Sequence, residues 1–361
     1  MPPIEAALAR AEQALWPLDE LRGLGFRVLA GSSPAGRQLA ASRNARVALL
    51  LTAHATAAFV LAVVAPSFLI AVTPLVFGVP HLAADVRYLL IRRASPRWWL
   101  LASAGFGLAL IGIRIAAEVR PSAAPSLPVE QAIAAAWVVL GAVAALIAAR
   151  SPRGWVVLVA ALGLASVAVA APRPFRMMLL HGHNLVAVVL WLALFRRGGR
   201  LIVTPIVAPV AAIVLGALLL ASGCALGWTL HHGWLSVAGL HLFAATDWLA
   251  PGLPDQMAVA LTTAFAFLQA VHYAIWLVAV PAGDRPGDGG RSWRMAWRAL
   301  IRDFRPGGVT AVVLLTVAVA AAGLVAAAPA RRLFLSIGSF HAWLELAVLA
   351  TALGRAPAVR R

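Results

Sequence analysis

His81 and Asp85 stand one helical turn apart inside an apolar run, and His341 and Glu345 repeat that spacing near the end of the chain. Gln269 and His272 are three residues apart, with Tyr273 beside them, and His181, His183 and Asn184 fall together in "LLHGHNL". Residues three or four apart share a helix face. A carboxylate one turn from a histidine can hold the second ring nitrogen, which fixes the tautomer of a metal-bound imidazole, or it can be a ligand itself. Imidazole suits iron, copper, zinc or nickel, and mixed imidazole and carboxylate ligation suits non-haem Fe(II). The single Cys224 excludes an internal disulfide, a cysteine zinc site and a CxxCH haem attachment. The candidate metal ligands are therefore His81, His181, His183, His272 and His341, with Asp85, Glu345 and Tyr273 as catalytic candidates.

Each feature also has a plainer reading. A lone histidine on an apolar helix, such as His54, is commonly a residue bonded to a backbone carbonyl. An i,i+4 histidine–acid pair can be a packing contact, and on the 223–254 stretch, which also holds His241, His231 and His232 can be interfacial. His181 and His183 point roughly 200° apart on a regular helix, so one of the two faces a shared centre. An ionisable group inside a membrane costs at least about 2.5 kcal/mol. Several such groups at one depth argue for an interior metal site.

The elements that must position these groups are membrane helices. Hydrophobic residues make up 62% of the 361 and charged residues 12%, whereas a soluble chain carries roughly 25% charge. The net charge of +17 comes from arginine alone. These arginines punctuate apolar runs, which makes them topology signals and not a nucleic-acid surface. About 20 apolar residues cross the hydrocarbon core. Spans are expected near 45–66, 67–91, 98–117, 129–150, 154–171, 175–195, 201–222, 256–281, 308–328 and 332–353, which is about ten crossings. No period-two alternation supports a barrel. His81, His272 and His341 come out near mid-depth, with His183 nearer the outer face.

Arginine sets the expected orientation. With both termini in the cytoplasm of an inner (plasma) membrane, the cytoplasmic loops hold Arg92, Arg93, Arg97, Arg150, Arg153, Arg196, Arg197 and Arg200. The stretch 223–254 is long enough to span once. A crossing there would put the six arginines of 283–307 outside, so an outer re-entrant or interfacial hairpin is expected. Within 283–307, Trp293, Trp297, Leu300 and Ile301 share a face, as an interfacial helix would place them. The expected organisation is an amphipathic N-terminal segment (1–44), an all-α helical membrane domain (45–353) and a basic tail (354–361). Arg87 is expected to reach the headgroups by snorkelling.

"GVPHLAAD", residues 78–85, resembles the G-[IV]-P-H-G-A-x-D signature of the Brp/Blh family of membrane β-carotene 15,15′-dioxygenases. "LLHGHNL" (179–185) is similar to that family's His-Phe-Gly motif, "FLQAVHYAIWL" (267–277) to its W-H-S-x-R-H segment, and "SFHAWLELAVL" (339–349) to its last histidine helix. The resemblance implies a multi-span helical protein in which histidine-bound Fe(II) and O2 split a carotenoid into retinal. It implies ligand roles for His81, one of His181 and His183, and His272, with His341 nearby. Leu82 replaces the family glycine, Val86 stands where a histidine often follows the aspartate, and Trp276 falls where the segment has its second histidine. A ligand is therefore missing unless His341, Glu345 or Asp85 replaces it.

The expected function is a membrane-embedded non-haem iron oxygenase acting on a long apolar lipid or carotenoid that enters from the bilayer. Such a substrate has no charge for an arginine to grip. Three rivals share the same residues: a bis-histidine haem b or copper redox protein, a proton-linked transporter, and a non-catalytic subunit docking a membrane-complex partner through 283–307.

Overall fold

The computed structural model describes residues 3–93, 95–195, 206–284 and 292–354. Arg196, Arg197, Arg200, most of the loop before Ser292 and the tail beyond Gly354 lie outside them. The protein is an all-α polytopic bundle. Among the described residues nine helices are long and apolar enough to cross a membrane. Short helices α1 (Pro3–Ala14), α2 (Trp16–Ser32) and α3 (Pro34–Ala41) lead into α4 (Arg43–Val64) and α5 (Pro66–Ile91). Then come α6 (Arg97–Val119), α7 (Leu127–Ala149), α8 (Pro152–Ala170), α9 (Pro172–Phe195) and α10 (Val207–Ala221). The 222–254 region holds two short helices, α11 (Leu226–His232) and α12 (Leu242–Leu249). The chain continues as α13 (Asp255–Gly283), α14 (Trp293–Val325), α15 (Ala327–Gly338) and α16 (His341–Gly354).

The expected outer hairpin contains no spanning helix. Between α11 and α12 it forms a two-residue strand pair (Ser236–Val237 with Leu240–His241), and the 8 residues of α12 are far too few to cross. It folds back on the α4–α5 turn, where the Trp234 amide donates to the Val64 carbonyl at 2.7 Å and the Ser67 hydroxyl to the Leu235 carbonyl. The expected 201–222 span begins among residues outside the description, and α10 meets α11 at a 73° bend.

Two expected spans carry a break. The helix expected within 283–307 and the span after it are the two parts of α14, divided close to the expected boundary by a kink at Arg305, which has φ 61°. Pro306 disfavours the helical region for the residue before it, and the break falls there. The expected span 332–353 lies within Ala327–Gly354, which is long and apolar enough to cross as one span; it divides at Ser339–Phe340, and His341 opens its second helix. The N-terminal helices lie on the first part of α14. Asp19 accepts from Trp293 and Arg294, Glu12 accepts from Arg298 at 2.7 Å, and the Trp297 indole donates to the Leu8 carbonyl.

The centre of the bundle is α13, which packs against α4, α5, α9, α10 and α12. Its run from Thr262 to Trp276 is buried on every face, as a helix apolar all round must be. Beside it, Gly78 of α5 lets the Phe334 ring lie against the backbone. A Cβ at that position would sit 2.2 Å from a ring carbon. This is the structural use of the glycine that opens "GVPH".

Candidate metal centre

His81 lies on α5 and His272 on α13, both buried, and their Nε2 atoms are 2.8 Å apart. Asp85, one turn on from His81, brings Oδ2 to 3.4 Å from the same His81 Nε2. From α16, Glu345 brings Oε1 to 3.5 Å from His272 Nε2. His341 stands at the start of that helix, with Nδ1 2.5 Å from the Gly338 carbonyl and its ring 4.9 Å from that of His81. His183 of α9 completes the ring of imidazoles, 5.2 Å from His272 and 5.1 Å from His341 between centroids.

His181 is the odd one out. Its Nε2 lies 2.9 Å from the Leu249 carbonyl at the end of α12. Its turn away from the centre results from the two-residue spacing, which sends the neighbouring imidazoles to opposite sides of α9. His54 contacts the Ala270 carbonyl at 3.1 Å, the plainer role. His231, His232 and His241 are exposed in the 222–254 region and do not reach the centre.

Three partnerships differ from those the spacing suggests. Asp85 faces Nε2 of His81, the nitrogen that points into the cluster, so it sits as a co-ligand would and not behind the ring. Glu345 crosses to α13 instead of holding His341, because His341 at the helix start has the Gly338 carbonyl within reach. Gln269 donates to the Tyr273 hydroxyl at 3.1 Å and not to His272. The Tyr273 ring in turn lies 5.0 Å from that of His81.

Sequence reasoning missed Trp276, Asp303 and Arg331. The Trp276 indole donates to Glu345 Oε1 at 2.7 Å. The tryptophan thus holds a carboxylate beside His272. Asp303 pairs with Arg87 at 2.8 Å and Arg92 at 3.3 Å. Arg87 is therefore buried against α14 and paired with a carboxylate there, in place of the expected snorkelling. Buried Arg331 donates to the Ile70 carbonyl at 2.8 Å, and its guanidinium lies 4.1 Å over the Trp248 ring. Its position in "APARRLF" reads as a span edge, so only the Asp303 and Trp276 sites carried a signal: an acid and an indole beside residues already singled out.

A metal fits the cluster on two grounds. Ligand bonds of about 2.0–2.2 Å put two ligands of one ion from roughly 3 Å apart when adjacent to about 4.2 Å apart when opposite. The ligand atoms of His81, His272 and His341 all lie within 4.8 Å of one another, as do those of His81, Asp85 and Glu345. The widest pair then has to close by at most about 0.6 Å. The second ground is polar satisfaction. Both Asp85 oxygens and Glu345 Oε2 are buried without a hydrogen-bond donor among the described residues. Two facing neutral imidazoles share at most one proton, so with Asp85 and Glu345 ionised the described protein groups leave this cluster short of positive charge. A cation at the centre supplies what burial otherwise makes costly, by several kcal/mol per unpaired charge.

Three π-helical turns lie on the helices that carry site residues: Val86–Ile91 directly after Asp85, Ile275–Ala279 soon after His272, and Trp191–Phe195 further along α9 from His183. A π turn adds a residue to the helical repeat and rotates the residues beyond it, and such turns gather at functional sites. The third carries Trp276 and so sets its direction toward Glu345.

No protein-family model matches the chain, and no curated protein or solved structure matches it. The likeness to the carotenoid dioxygenases accordingly stands on the quoted motifs.

Proposed function

We propose that the chain is a membrane-embedded, histidine-ligated non-haem iron oxygenase acting on a long apolar lipid, with oxidative cleavage of a carotenoid as the case the "GVPHLAAD" motif suggests. The observation that carries this reading is the convergence of His81, His272, His341 and His183 with Asp85 and Glu345, thiol-free, inside the bundle. His81, His272 and His341 would hold Fe(II), with Asp85 or Glu345 filling the position that the missing family histidine leaves. When bound, Fe(II) supplies the redox chemistry that lets dioxygen react with a hydrocarbon.

The chain's own residues do the rest. Asp85 and Glu345 balance charge, the Trp276 indole fixes Glu345, and the buried walls keep water from the reacting centre. The 2.8 Å between the facing nitrogens of His81 and His272 counts against a haem between them, because two axial nitrogens sit about 4 Å apart. The arginine-rich ends support placement in the plasma membrane with both termini cytoplasmic.

Metal analysis of the purified protein tests the centre, and one iron per chain is expected. Membranes making β-carotene and this protein should lose colour and accumulate an aldehyde only with O2, with label from ¹⁸O2 in the product. Unlabelled product, or turnover under strict anaerobiosis, would refute the oxygenase. Bound iron with unchanged carotenoid would refute only that choice of lipid.

A further inference from the structure

Arg331 of α15 carries a guanidinium, a group that stays protonated, into the bundle with 5% of its surface exposed. Its Nε donates to the Ile70 carbonyl of α5 at 2.8 Å, and its guanidinium lies 4.1 Å from the centroid of the Trp248 ring on α12. Both partners are uncharged. Among the described residues no carboxylate pairs with it, and its Nη2 is buried without an acceptor. Arg87, buried to a similar degree, has Asp303 at 2.8 Å. A charge held inside a membrane bundle without a counter-charge is costly. The uncharged substrate expected from the sequence would leave Arg331 in that state.

The ionisable group on which Arg331 acts electrostatically is Tyr273 of α13. The Tyr273 hydroxyl accepts from Gln269 at 3.1 Å and donates to no described group. Whichever way the Gln269 amide is turned, the pair keeps a donor without an acceptor. Buried donors on α13 and α15 therefore wait for acceptor oxygens beside the metal cluster, since the Tyr273 ring lies 5.0 Å from that of His81. Phe77 of α5 stands 6.4 Å from the same tyrosine ring and is 44% exposed within its span. On this side one aromatic ring lies between Tyr273 and the exposed surface of the span. Guanidinium forks match carboxylate oxygens two at a time. The Nε and one face of Arg331 are already taken, which leaves the Nη edge, and a planar carboxylate meets such an edge in its own plane. A carboxylate that arrives through a membrane span brings a hydrocarbon chain.

We propose that Arg331 anchors the carboxylate of a long-chain carboxylic lipid, with the Tyr273 hydroxyl as a second donor. The polar end so assigned belongs to the apolar lipid of the oxygenase reading, and only the fate of that lipid rests on that reading. Binding is read without metal or turnover, so either can fail while the other stands.

The test uses the full chain in detergent, with native mass spectrometry and titration of oleate against methyl oleate, which has the same chain and no charge. One oleate per chain should be retained, roughly 10–100-fold more tightly than the ester, the worth of hydrogen bonds to a charged group. Arg331→Gln should abolish that preference and Arg331→Lys should keep part of it. Tyr273→Phe should weaken oleate several-fold. Arg332→Gln, at the exposed neighbour, should change nothing, which controls for the general attraction of an anion to a chain of net charge +17. Should Arg331→Gln fail to fold, the wild-type comparison and Tyr273→Phe still decide. Equal retention of oleate and its ester would overturn the proposal, as would a preference unchanged in Arg331→Gln or lost equally in Arg332→Gln. Displacement of oleate by millimolar acetate would overturn the lipid and mark a site for small carboxylates instead.

Discussion

Replacing Trp276 by Phe removes one hydrogen bond from the centre and keeps an aromatic ring in the buried slot. Trp276 is fully buried, and among the described residues its indole is the one donor to Glu345, whose Oε2 has none. A hydrogen bond to a charged group is worth about 1.5–3 kcal/mol. If Glu345 helps hold the metal, that loss appears as roughly 10–100-fold weaker binding, the usual effect of removing a residue that orients a ligand. The assay is competition for iron against a chelator of known affinity, read on purified protein. Since Phe is smaller than Trp, the variant also loses packing, and a lower affinity alone proves little. The double-mutant cycle with Glu345→Gln separates the two effects. In the Glu345→Gln background the indole no longer meets a carboxylate, so Trp276→Phe should cost less than about threefold there. Equal costs in both backgrounds would show that the indole acts through packing, and the assigned role of Trp276 would be refuted.

The same geometry yields further expected outcomes. His81→Ala, His272→Ala and His341→Ala should each lose most bound metal, whereas His181→Ala and His54→Ala should keep it, because those two rings face backbone carbonyls; metal stoichiometry decides. Asp303→Asn should lower thermal stability in detergent by about 2–4 kcal/mol, since it leaves Arg87 buried without its carboxylate; an unchanged midpoint would refute the pairing. Gly78→Ala should destabilise by about 1–3 kcal/mol through overpacking on Phe334, and Phe334→Leu should restore the loss. Cysteines placed near 222 and 255 should label from one and the same side of the membrane, and labelling from opposite faces would reinstate a crossing between them.

Much of this was legible in spacing because membrane helices obey two strong rules. Apolar length set the spans, and the cost of buried ionisable groups marked His81, Asp85, His272, His341 and Glu345 as the residues to watch. What periodicity does not carry is direction after a break. The i,i+4 rule paired Glu345 with His341, yet the break at Ser339–Phe340 puts His341 at a helix start, where the Gly338 carbonyl takes its Nδ1 side. The i,i+3 rule paired Gln269 with His272, while the tyrosine hydroxyl one residue further on was the better acceptor. Choosing between His181 and His183 needed the position of Leu249, which is remote in sequence. The π turns leave no mark in composition at all, and one of them aims Trp276.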